Sequence, residues 1–148
     1  MLSMVKKKTL SKSASLPKKQ VGIVEALIYD SKGKLLLLRR SEQNSIYIDK
    51  WQLPGGKVEE RETPLEAIIR EVREEIACNC IKVKKLKEMT FSNIFKNKKE
   101  TVHLTVFACD IDGQLALSNE HSELKFFDMK RIPKTRLAPA SYKAIFSK

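Results

Sequence analysis

The stretch TPLEAIIREVREEI, residues 63–76, decides the fold because it predicts one amphipathic helix with a well-marked start. Thr63 is a good N-cap, Pro64 suits the first helical position, and Glu66 stands where a capping-box carboxylate reaches back to the cap. Apolar residues recur at spacings of three and four, which places them on one face that must be buried. The residues of this face are Leu65, Ile68, Ile69, Val72 and Ile76.

The segments before this helix predict extended structure. Residues 21–29 are rich in Val, Ile, Leu and Tyr, and the turn sequence DSKG at 30–33 leads into KLLLLRR, so the two runs predict a hairpin. A polar loop at 41–50 follows, and then a short extended piece at 51–53, which we expect to end in a tight turn at Pro54-Gly55-Gly56.

The segments after the helix complete the fold class. Strands are predicted at 81–91, 101–109 and 124–127, and a closing helix is predicted at 139–146. Strands on both sides of one buried helix, with a second helix at the end, predict an α/β (α+β) fold, an α/β/α sandwich with a mixed sheet between helices.

Length and composition predict one soluble domain. The chain has 148 residues, 42% of them hydrophobic, which suffices for one core, and its longest apolar run, 35–38, is far too short to cross a membrane. Residues 1–20 carry six lysines and no acid, so we expect a flexible basic tail before a domain at 21–148. An organellar targeting segment is the alternative, but such segments favour arginine.

The net charge of +11 also draws on a second basic cluster, residues 82–99, with seven lysines and one acid. We interpret it as the solvated face of a strand and its loop. The alternative is a surface for a polyanion such as a nucleotide or RNA. Nucleic acid is not favoured as a partner, because arginines interleaved with stacking aromatics are missing and only Phe91 and Phe95 fall there.

The three cysteines, Cys78, Cys80 and Cys109, do not predict a zinc site, because a lone C-x-C pair without nearby histidines is poor zinc spacing. We expect reduced, partly buried thiols. This predicts a reducing compartment, most simply the cytoplasm.

Three carboxylates on the central helix need a separate explanation. Glu71, Glu74 and Glu75 are spaced i, i+3, i+4, where like charges repel by a few tenths of a kcal/mol per pair, and Arg70 offsets only part of this. Two of them also sit at the helix end that disfavours negative charge. The helix alone leaves two interpretations open, a solvated salt-bridge face or a site for a hard divalent cation such as Mg²⁺ or Mn²⁺.

The glycine loop and the helix together form a motif. Gly56, five residues, Glu62, seven residues and then REVREEIAC at 70–78 resemble the Nudix box, G-x5-E-x7-R-E-U-x-E-E-x-G-U with U aliphatic. The flanking order of elements is similar to that family through most of residues 21–146. Ala77 replaces the last box glycine, and a left-handed alanine costs about 1–2 kcal/mol. We therefore expect Asn79 to take over as the cap and the helix to run a residue or two longer.

The resemblance implies hydrolysis of a nucleoside diphosphate linked to a moiety X, with Mg²⁺ or Mn²⁺ as cofactor. Carried over by position, it implies that Glu74 and Glu75 ligate metal directly, that Glu71 does so directly or through water, and that the Gly55 carbonyl completes the set. The remaining box positions, Gly56, Glu62 and Arg70, would be structural, with the last two forming an ion pair.

The general base varies in this family, so several candidates stay open. Glu71 and Glu74 are two of them, and Glu120 in NEHSELKFFD is the best-placed acid beyond the box, with Glu123 as the fallback. An ordinary loop acid is the alternative for Glu120. His103 is expected to be a core or surface residue and not a catalyst. His121 adjoins Glu120 and is expected to be exposed, with an approach to the site as the alternative.

The substrate is less explicit. The proline near Asn93 that is typical of the ADP-ribose branch is absent, and so is the tyrosine of the diadenosine polyphosphate branch. The LLLLRR strand resembles the MutT-like branch, nucleoside triphosphate pyrophosphohydrolases that release a monophosphate and pyrophosphate and sanitise nucleotide pools. Arg40 would meet the nucleotide, and Arg39 is the second candidate or only a surface charge. Ser141 replaces that branch's base-reading asparagine, so 8-oxo-guanine is not expected.

Two alternatives come from other functional classes. The lysine clusters suggest an RNA 5′-end pyrophosphohydrolase. The other alternative is a noncatalytic nucleotide-binding module of the same fold, which would usually lack a box carboxylate, and none is missing here.

Overall fold

Two helices and seven strands make up the part of the chain that the computed structural model describes, residues 18–148. In chain order they are β1 (Lys18–Leu27), β2 (Leu35–Arg40), β3 (Trp51–Gln52), β4 (Gly55–Lys57), α1 (Pro64–Ile76), β5 (Asn79–Phe95), β6 (Lys98–Asp112), β7 (His121–Phe127) and α2 (Pro139–Phe146). Two short 3₁₀ turns, Met129–Arg131 and Lys134–Arg136, connect β7 to α2.

The strands form two sheets, where the sequence predicted one. A four-stranded sheet has the order β4-β1-β6-β5, and it is mixed because β1 runs parallel to β6 and antiparallel to β4. A three-stranded antiparallel sheet has the order β3-β2-β7. The predicted α/β (α+β) class is confirmed, and the mixed sheet lies between the helices.

The predicted hairpin of β1 and β2 is right only at its turn. Asp30 Oδ1 accepts hydrogen bonds from the backbone N–H groups of Lys32 and Lys34, and Tyr29 pairs with Leu35. Beyond that bridge the two strands separate into different sheets, because β4 and β6 already occupy the two edges of β1. The predicted turn at 54–56 is likewise wrong, since Gly55 and Gly56 begin β4 and pair with β1.

Helix α1 has the predicted bounds and capping box: Thr63 Oγ1 accepts from the Glu66 N–H, and the Glu66 carboxylate accepts from the Thr63 N–H. Its apolar face is buried at Ile68, Val72 and Ile76. Leu65 is 47% exposed, contrary to prediction, because the first turn borders a shallow surface groove instead of the core.

The end of α1 also corrects the prediction of a longer helix. Ala77 itself adopts the left-handed conformation, with φ 61° and ψ 26°, and its N–H closes the last turn on the Arg73 carbonyl. The reason lies in the next two residues. Cys78 is buried in the core and Asn79 already pairs with Asp112 in the sheet, so the chain must turn at residue 77.

Alternate residues of β1 and β6 face two separate hydrophobic clusters. One cluster includes Val24, Ala26 and the buried face of α1, and the other includes Val102, Leu104 and the residues under α2. The helices therefore cover opposite faces of the four-stranded sheet. Cys78 and Cys109 are buried and Cys80 is half-buried, as predicted.

The predicted basic cluster lies along an edge of the four-stranded sheet, because β5 is its terminal strand. The predicted basic cluster falls on β5, β6 and the turn between them, where most of its lysines are exposed. Strand β1 begins at residue 18, three residues before the predicted domain start, and the rest of the predicted tail lies outside the described residues. Within residues 18–148, neither helix has the length and apolar character that crossing a bilayer requires.

Candidate active site

A cleft of about 480 Å³ opens where the two sheets separate. Its walls come from β1, the end of β2, the loop at 41–50, β3, β4, α1, β5, β6 and the start of α2. Most of the predicted site residues line it, namely Arg40, Gly55, Gly56, Arg70, Glu71, Glu74, Glu75 and Glu120. Residues that are distant in sequence are thus brought to one place.

The three carboxylates of α1 differ sharply in their surroundings. Glu75 is buried and its Oε1 accepts a hydrogen bond from the Gly55 N–H at 2.8 Å. Glu71 has 13% of its side chain exposed, whereas Glu74 has 57% exposed and accepts from Arg70 Nη1 at 3.1 Å. The sequence predicted three neighbouring carboxylates, and the structure shows that they range from core to surface.

Burial controls the protonation of the two inner carboxylates. It raises the pKa of Glu71 to about 7, and the Arg70 guanidinium opposes this shift. Burial also raises the pKa of Glu75 well above its usual range, and the neighbouring Glu71 carboxylate raises it further. Ionised together, these groups repel one another in a poorly solvated cleft.

The ion pair of Arg70 and Glu62 fixes the loop before α1 against the helix. Arg70 Nε donates to Glu62 Oε2 at 2.7 Å and Arg70 Nη2 donates to Glu62 Oε1 at 3.0 Å, a bidentate arrangement. The same Nη2 also donates to the Lys57 carbonyl at 3.0 Å. These hydrogen bonds lower the pKa of Glu62 to about 2.

The two glycines of β4 are needed for close approach. A Cβ on Gly55 would lie 2.0 Å from the Val24 carbonyl oxygen, which is backbone and cannot move aside. A Cβ on Gly56 would lie 1.8 Å from Glu71 Oε2, which belongs to a side chain. Gly55 thus permits strand pairing, and Gly56 makes room for a site carboxylate.

The donor chemistry of this end of the cleft fits a hard divalent cation, since carboxylate oxygens are the ligands that Mg²⁺ and Mn²⁺ prefer. In the conformations seen here, no three His, Cys, Asp or Glu side chains within residues 18–148 converge on one point. The reason is visible in two contacts: Arg70 holds Glu74, and the Gly55 N–H holds Glu75. A cation site requires at least Glu74 to rotate inward, and its exposure permits that rotation.

The two predicted substrate-binding arginines diverge. Arg40 lines the cleft, where its Nη1 donates to Gln52 Oε1 at 2.6 Å and its Nε donates to the Ile46 carbonyl at 3.1 Å. Arg39 lies outside the cleft and forms ion pairs with Asp49 and Glu123 at 3.5 and 3.6 Å. A register shift of β2 against β7 separates the two arginines. The structure therefore does not place Arg39 among the cleft residues.

The candidate bases divide in the same way. Glu120 lines the cleft from the loop before β7, and its charge raises the pKa of both Glu71 and Glu75. Its backbone carbonyl accepts from Ser41 N at 2.9 Å, which fixes the loop that carries it. That loop is joined to the end of α1, because the Ser118 N–H donates to the Glu75 carbonyl at 3.1 Å. Glu123 pairs with Arg39 outside the cleft.

Sequence reasoning missed Glu25, a buried acid on β1 that lines the cleft floor. Ser141 Oγ donates to Glu25 Oε2 at 2.9 Å and accepts from the Leu53 N–H at 2.9 Å, and burial raises the Glu25 pKa to about 8. Ser141 is completely buried in this role, so it does not face the cleft as a base reader. The signal was one acid inside the apolar run VGIVEALI.

The two histidines behave differently from each other. His103 is exposed on β6 and contacts Thr90 and Gln20. His121 is buried, contrary to the expected exposure, because β7 begins with it and pairs it against Arg40 of β2. Its Nε2 lies 3.2 Å from Gln52 Nε2, and burial, followed by the charge of Arg40, lowers its pKa to about 4.

Comparison with known proteins identifies this arrangement. A model of the NUDIX domain matches residues 19–147. The chain belongs to the Nudix family. A MutT protein from Methanosarcina mazei Go1 has a crystal structure that superposes with a TM-score of 0.72 at 34% sequence identity, covering 89% of this chain and 94% of that one.

The chain is also similar in sequence to two proteins named for an activity. The ADP-ribose pyrophosphatase of Methanocaldococcus jannaschii is 33% identical over 110 residues, 72% of this chain and 62% of that protein, so the match spans less than two thirds of the relative's length. The CTP pyrophosphohydrolase of Escherichia coli strain K12 is 30% identical over 123 residues, 82% of this chain and 86% of that protein. Both are similar to this chain through most of the Nudix domain.

Proposed function

We propose that the protein is a divalent-cation-dependent pyrophosphohydrolase of nucleoside triphosphates, releasing a nucleoside monophosphate and pyrophosphate. One observation carries the proposal: a single cleft combines the α1 carboxylates, the Arg40 guanidinium and an apolar wall. A nucleoside triphosphate has the matching parts, a cation-binding polyphosphate and a flat, largely apolar base. The names of the two curated relatives, both pyrophosphate-cleaving enzymes, support the same reaction class.

The apolar wall is the part of the cleft that suits a base. It is formed by the side chains of Val21 and Ile23 from β1, Phe91 from β5 and Val102 from β6. Packing a nucleobase against such a wall removes apolar surface of both partners from water. Ser141 is turned away from this wall, so we propose no preference for 8-oxo-guanine.

The polar end of the cleft suits the polyphosphate. Arg40 presents a half-buried cation to phosphate oxygens, and Glu71, Glu74 and Glu75 would hold Mg²⁺ or Mn²⁺, with the Gly55 carbonyl as a further ligand. When bound, such an ion neutralises phosphate charge and lowers the pKa of a coordinated water. Arg70 keeps the helix and the preceding loop in place through Glu62.

Glu120 is the proposed proton acceptor for the attacking water. It belongs to the loop before β7 and not to α1, so it leaves the helix carboxylates available to the cation. A carboxylate that takes the water proton as the oxygen–phosphorus bond forms lowers the barrier by general base catalysis. Glu71 remains the second candidate for this role, as a half-buried carboxylate in the same cleft.

The test is pyrophosphate and phosphate release with Mg²⁺ from a panel of nucleoside triphosphates, ADP-ribose, a diadenosine polyphosphate and a 5′-triphosphorylated RNA oligonucleotide. Glu74→Gln is the informative variant, because this side chain is exposed and its loss leaves the core intact. We expect activity to fall by at least about a hundredfold, and to fall little in the control Glu60→Gln, an exposed acid outside the cleft.

The same panel separates the base candidates and the alternatives. Glu120→Gln should lower kcat without changing the Mg²⁺ requirement, whereas Glu123→Gln should behave as wild type. Equal activity of Glu74→Gln and wild type would refute the proposed site. If wild type cleaved nothing in the panel, the proposed enzymatic activity would be refuted. A clear preference for the RNA, with steep loss at higher salt, would replace the nucleotide by an RNA 5′ end.

A further inference from the structure

Arg40 is a half-buried cation whose direct partners are both uncharged. Its Nη1 donates to the Gln52 side-chain carbonyl and its Nε donates to the Ile46 backbone carbonyl. None of the ion pairs found among residues 18–148 includes Arg40. Burying a charge is costly unless it is compensated. The nearby carboxylates, Glu75 and Glu120 first among them, act on Arg40 without a direct ion pair, so its free N–H groups stay available for an anionic ligand.

The arginine dictates the orientation of Gln52. A guanidinium has only donors, so the oxygen of the Gln52 amide must face Arg40 and the nitrogen must face His121. An amide nitrogen is also only a donor, which makes His121 Nε2 an acceptor. His121 is therefore neutral, with its proton on Nδ1, a buried atom for which the described residues provide no acceptor. The tautomer of the histidine is set by the arginine, through the glutamine.

The backbone brings these three side chains together across one sheet. Gln52 lies on β3 and His121 on β7, the two strands that flank β2, and His121 is the register partner of Arg40. Gln52 and His121 are both buried, with 7% and 5% of their surface exposed. Among the described residues, Arg40 is the only charged group in the hydrogen-bond chain that Gln52 and His121 form. This indicates that the two buried side chains serve to orient Arg40.

We propose that Gln52 and His121 are positioning residues that hold the Arg40 guanidinium in the orientation that receives the substrate's phosphate oxygens. The proposal rests on the function proposed above and adds to it two residues that the Nudix box does not contain. His121 fixes the Gln52 amide, and Gln52 Oε1 fixes Nη1 of Arg40. The remaining N–H groups of the guanidinium then point into the cleft. Because Arg40 is already held in one rotamer, binding loses less side-chain entropy.

The test is the affinity of the full-length protein for a nucleoside triphosphate with a methylene bridge between its α and β phosphates, measured by calorimetry with Mg²⁺. His121→Leu removes the acceptor of the Gln52 amide, and we expect Kd to rise by about three- to tenfold, the range for one neutral hydrogen bond. His121→Gln places an amide oxygen near the former Nε2 and should recover most of the affinity. A purely structural histidine would give no such rescue.

An isosteric variant guards against loss of folding. Gln52→Glu keeps the side-chain shape, but it pairs Arg40 with a carboxylate and presents a second oxygen to His121 Nε2. We expect weaker nucleotide binding at an unchanged or higher Tm, and a His121 imidazole that takes up a proton, visible in its ¹⁵N chemical shifts. The control Gln43→Glu adds the same charge to an exposed position of the neighbouring loop and should leave Kd within about twofold.

The outcomes separate this inference from the proposed function. Folded His121→Leu and Gln52→Glu proteins that bind the analogue as tightly as wild type overturn the positioning role, even if hydrolysis is intact. A wild-type imidazole with its proton on Nε2 overturns it as well. A wild type that binds the analogue but hydrolyses no nucleotide overturns only the enzymatic proposal, and one that binds no analogue overturns both.

Discussion

The buried acid at the floor of the cleft makes a quantitative prediction for Glu25→Gln. In the folded protein burial raises the Glu25 pKa from its ordinary value of 4.5 to about 8, so the native state keeps this proton across a range in which the unfolded state has lost it. The native state then binds more protons than the unfolded state, and stability must fall as pH rises. The group contributes no such slope below about pH 4.5 or above about pH 8.

The magnitude follows from the two pKa values. One pKa unit corresponds to about 1.36 kcal/mol, so Glu25 removes about 3 kcal/mol of unfolding free energy between pH 4.5 and pH 7, and about 4 kcal/mol by pH 8. Gln mimics the protonated acid: its oxygen can still accept from Ser141 Oγ, and it does not ionise. The stability advantage of Glu25→Gln over wild type should therefore grow by about 3 kcal/mol from pH 4.5 to pH 7.

The assay is urea unfolding from pH 4.5 to pH 8 with a chelator present, so that no divalent ion perturbs the carboxylates. Burial also raises the pKa of Glu71 and of Glu75, which gives both proteins a slope of the same sign. The Glu25 charge raises the Glu75 pKa further, so the difference between the two proteins also includes this repulsion, and it has the same sign. Glu60→Gln, which removes an exposed charge, should show a difference that stays flat with pH. A flat difference for Glu25→Gln would refute the reasoning, because the carboxyl would then be ionised in the native state.

Three further predictions concern the Nudix box itself. Ala77→Gly should raise the unfolding free energy by about 1 kcal/mol in urea titrations, because glycine adopts the left-handed conformation of this helix end without steric cost; unchanged or lower stability would contradict this. Gly56→Ala should fold but lose nucleotide hydrolysis, because its Cβ displaces the Glu71 side chain. Gly55→Ala should show no cooperative unfolding transition, because its Cβ collides with the backbone of β1. The reverse pattern would count against this geometry. Millimolar Mg²⁺ should raise Tm at pH 7.5 in wild type, and by less in Glu74→Gln. An equal rise in both proteins would show that Glu74 is not a ligand of the cation.

Local signals carried the sequence prediction furthest. The bounds of α1 were predictable because Thr63, Pro64 and Glu66 define its start within four residues, and α2 was predicted with its observed bounds. Spacing predicted that the box carboxylates and Arg70 lie close together along α1, and the resemblance to the Nudix box supplied their proposed roles. These features depend on residues that are close together in sequence, so they can be predicted from the sequence alone.

Most of the errors involve partners that are distant in sequence. The pairing of β1 with β6 joins residues about eighty positions apart, and it is what prevents the simple hairpin with β2. His121 looked exposed because its burial depends on Arg40 and Gln52, which lie on other strands. Glu25 was visible as an acid in an apolar strand, but its partner Ser141 is 116 positions away.

That last distance has a consequence for synthesis on the ribosome. While residues 18–76 are already outside the exit tunnel, the Glu25 carboxyl and the Leu53 N–H still lack Ser141, and β1 still lacks its parallel neighbour β6. The nascent chain can close the first turns of α1, but it cannot complete the floor of the cleft. Pairings of this kind form slowly, so the half-made protein should depend on chaperones until residue 141 emerges.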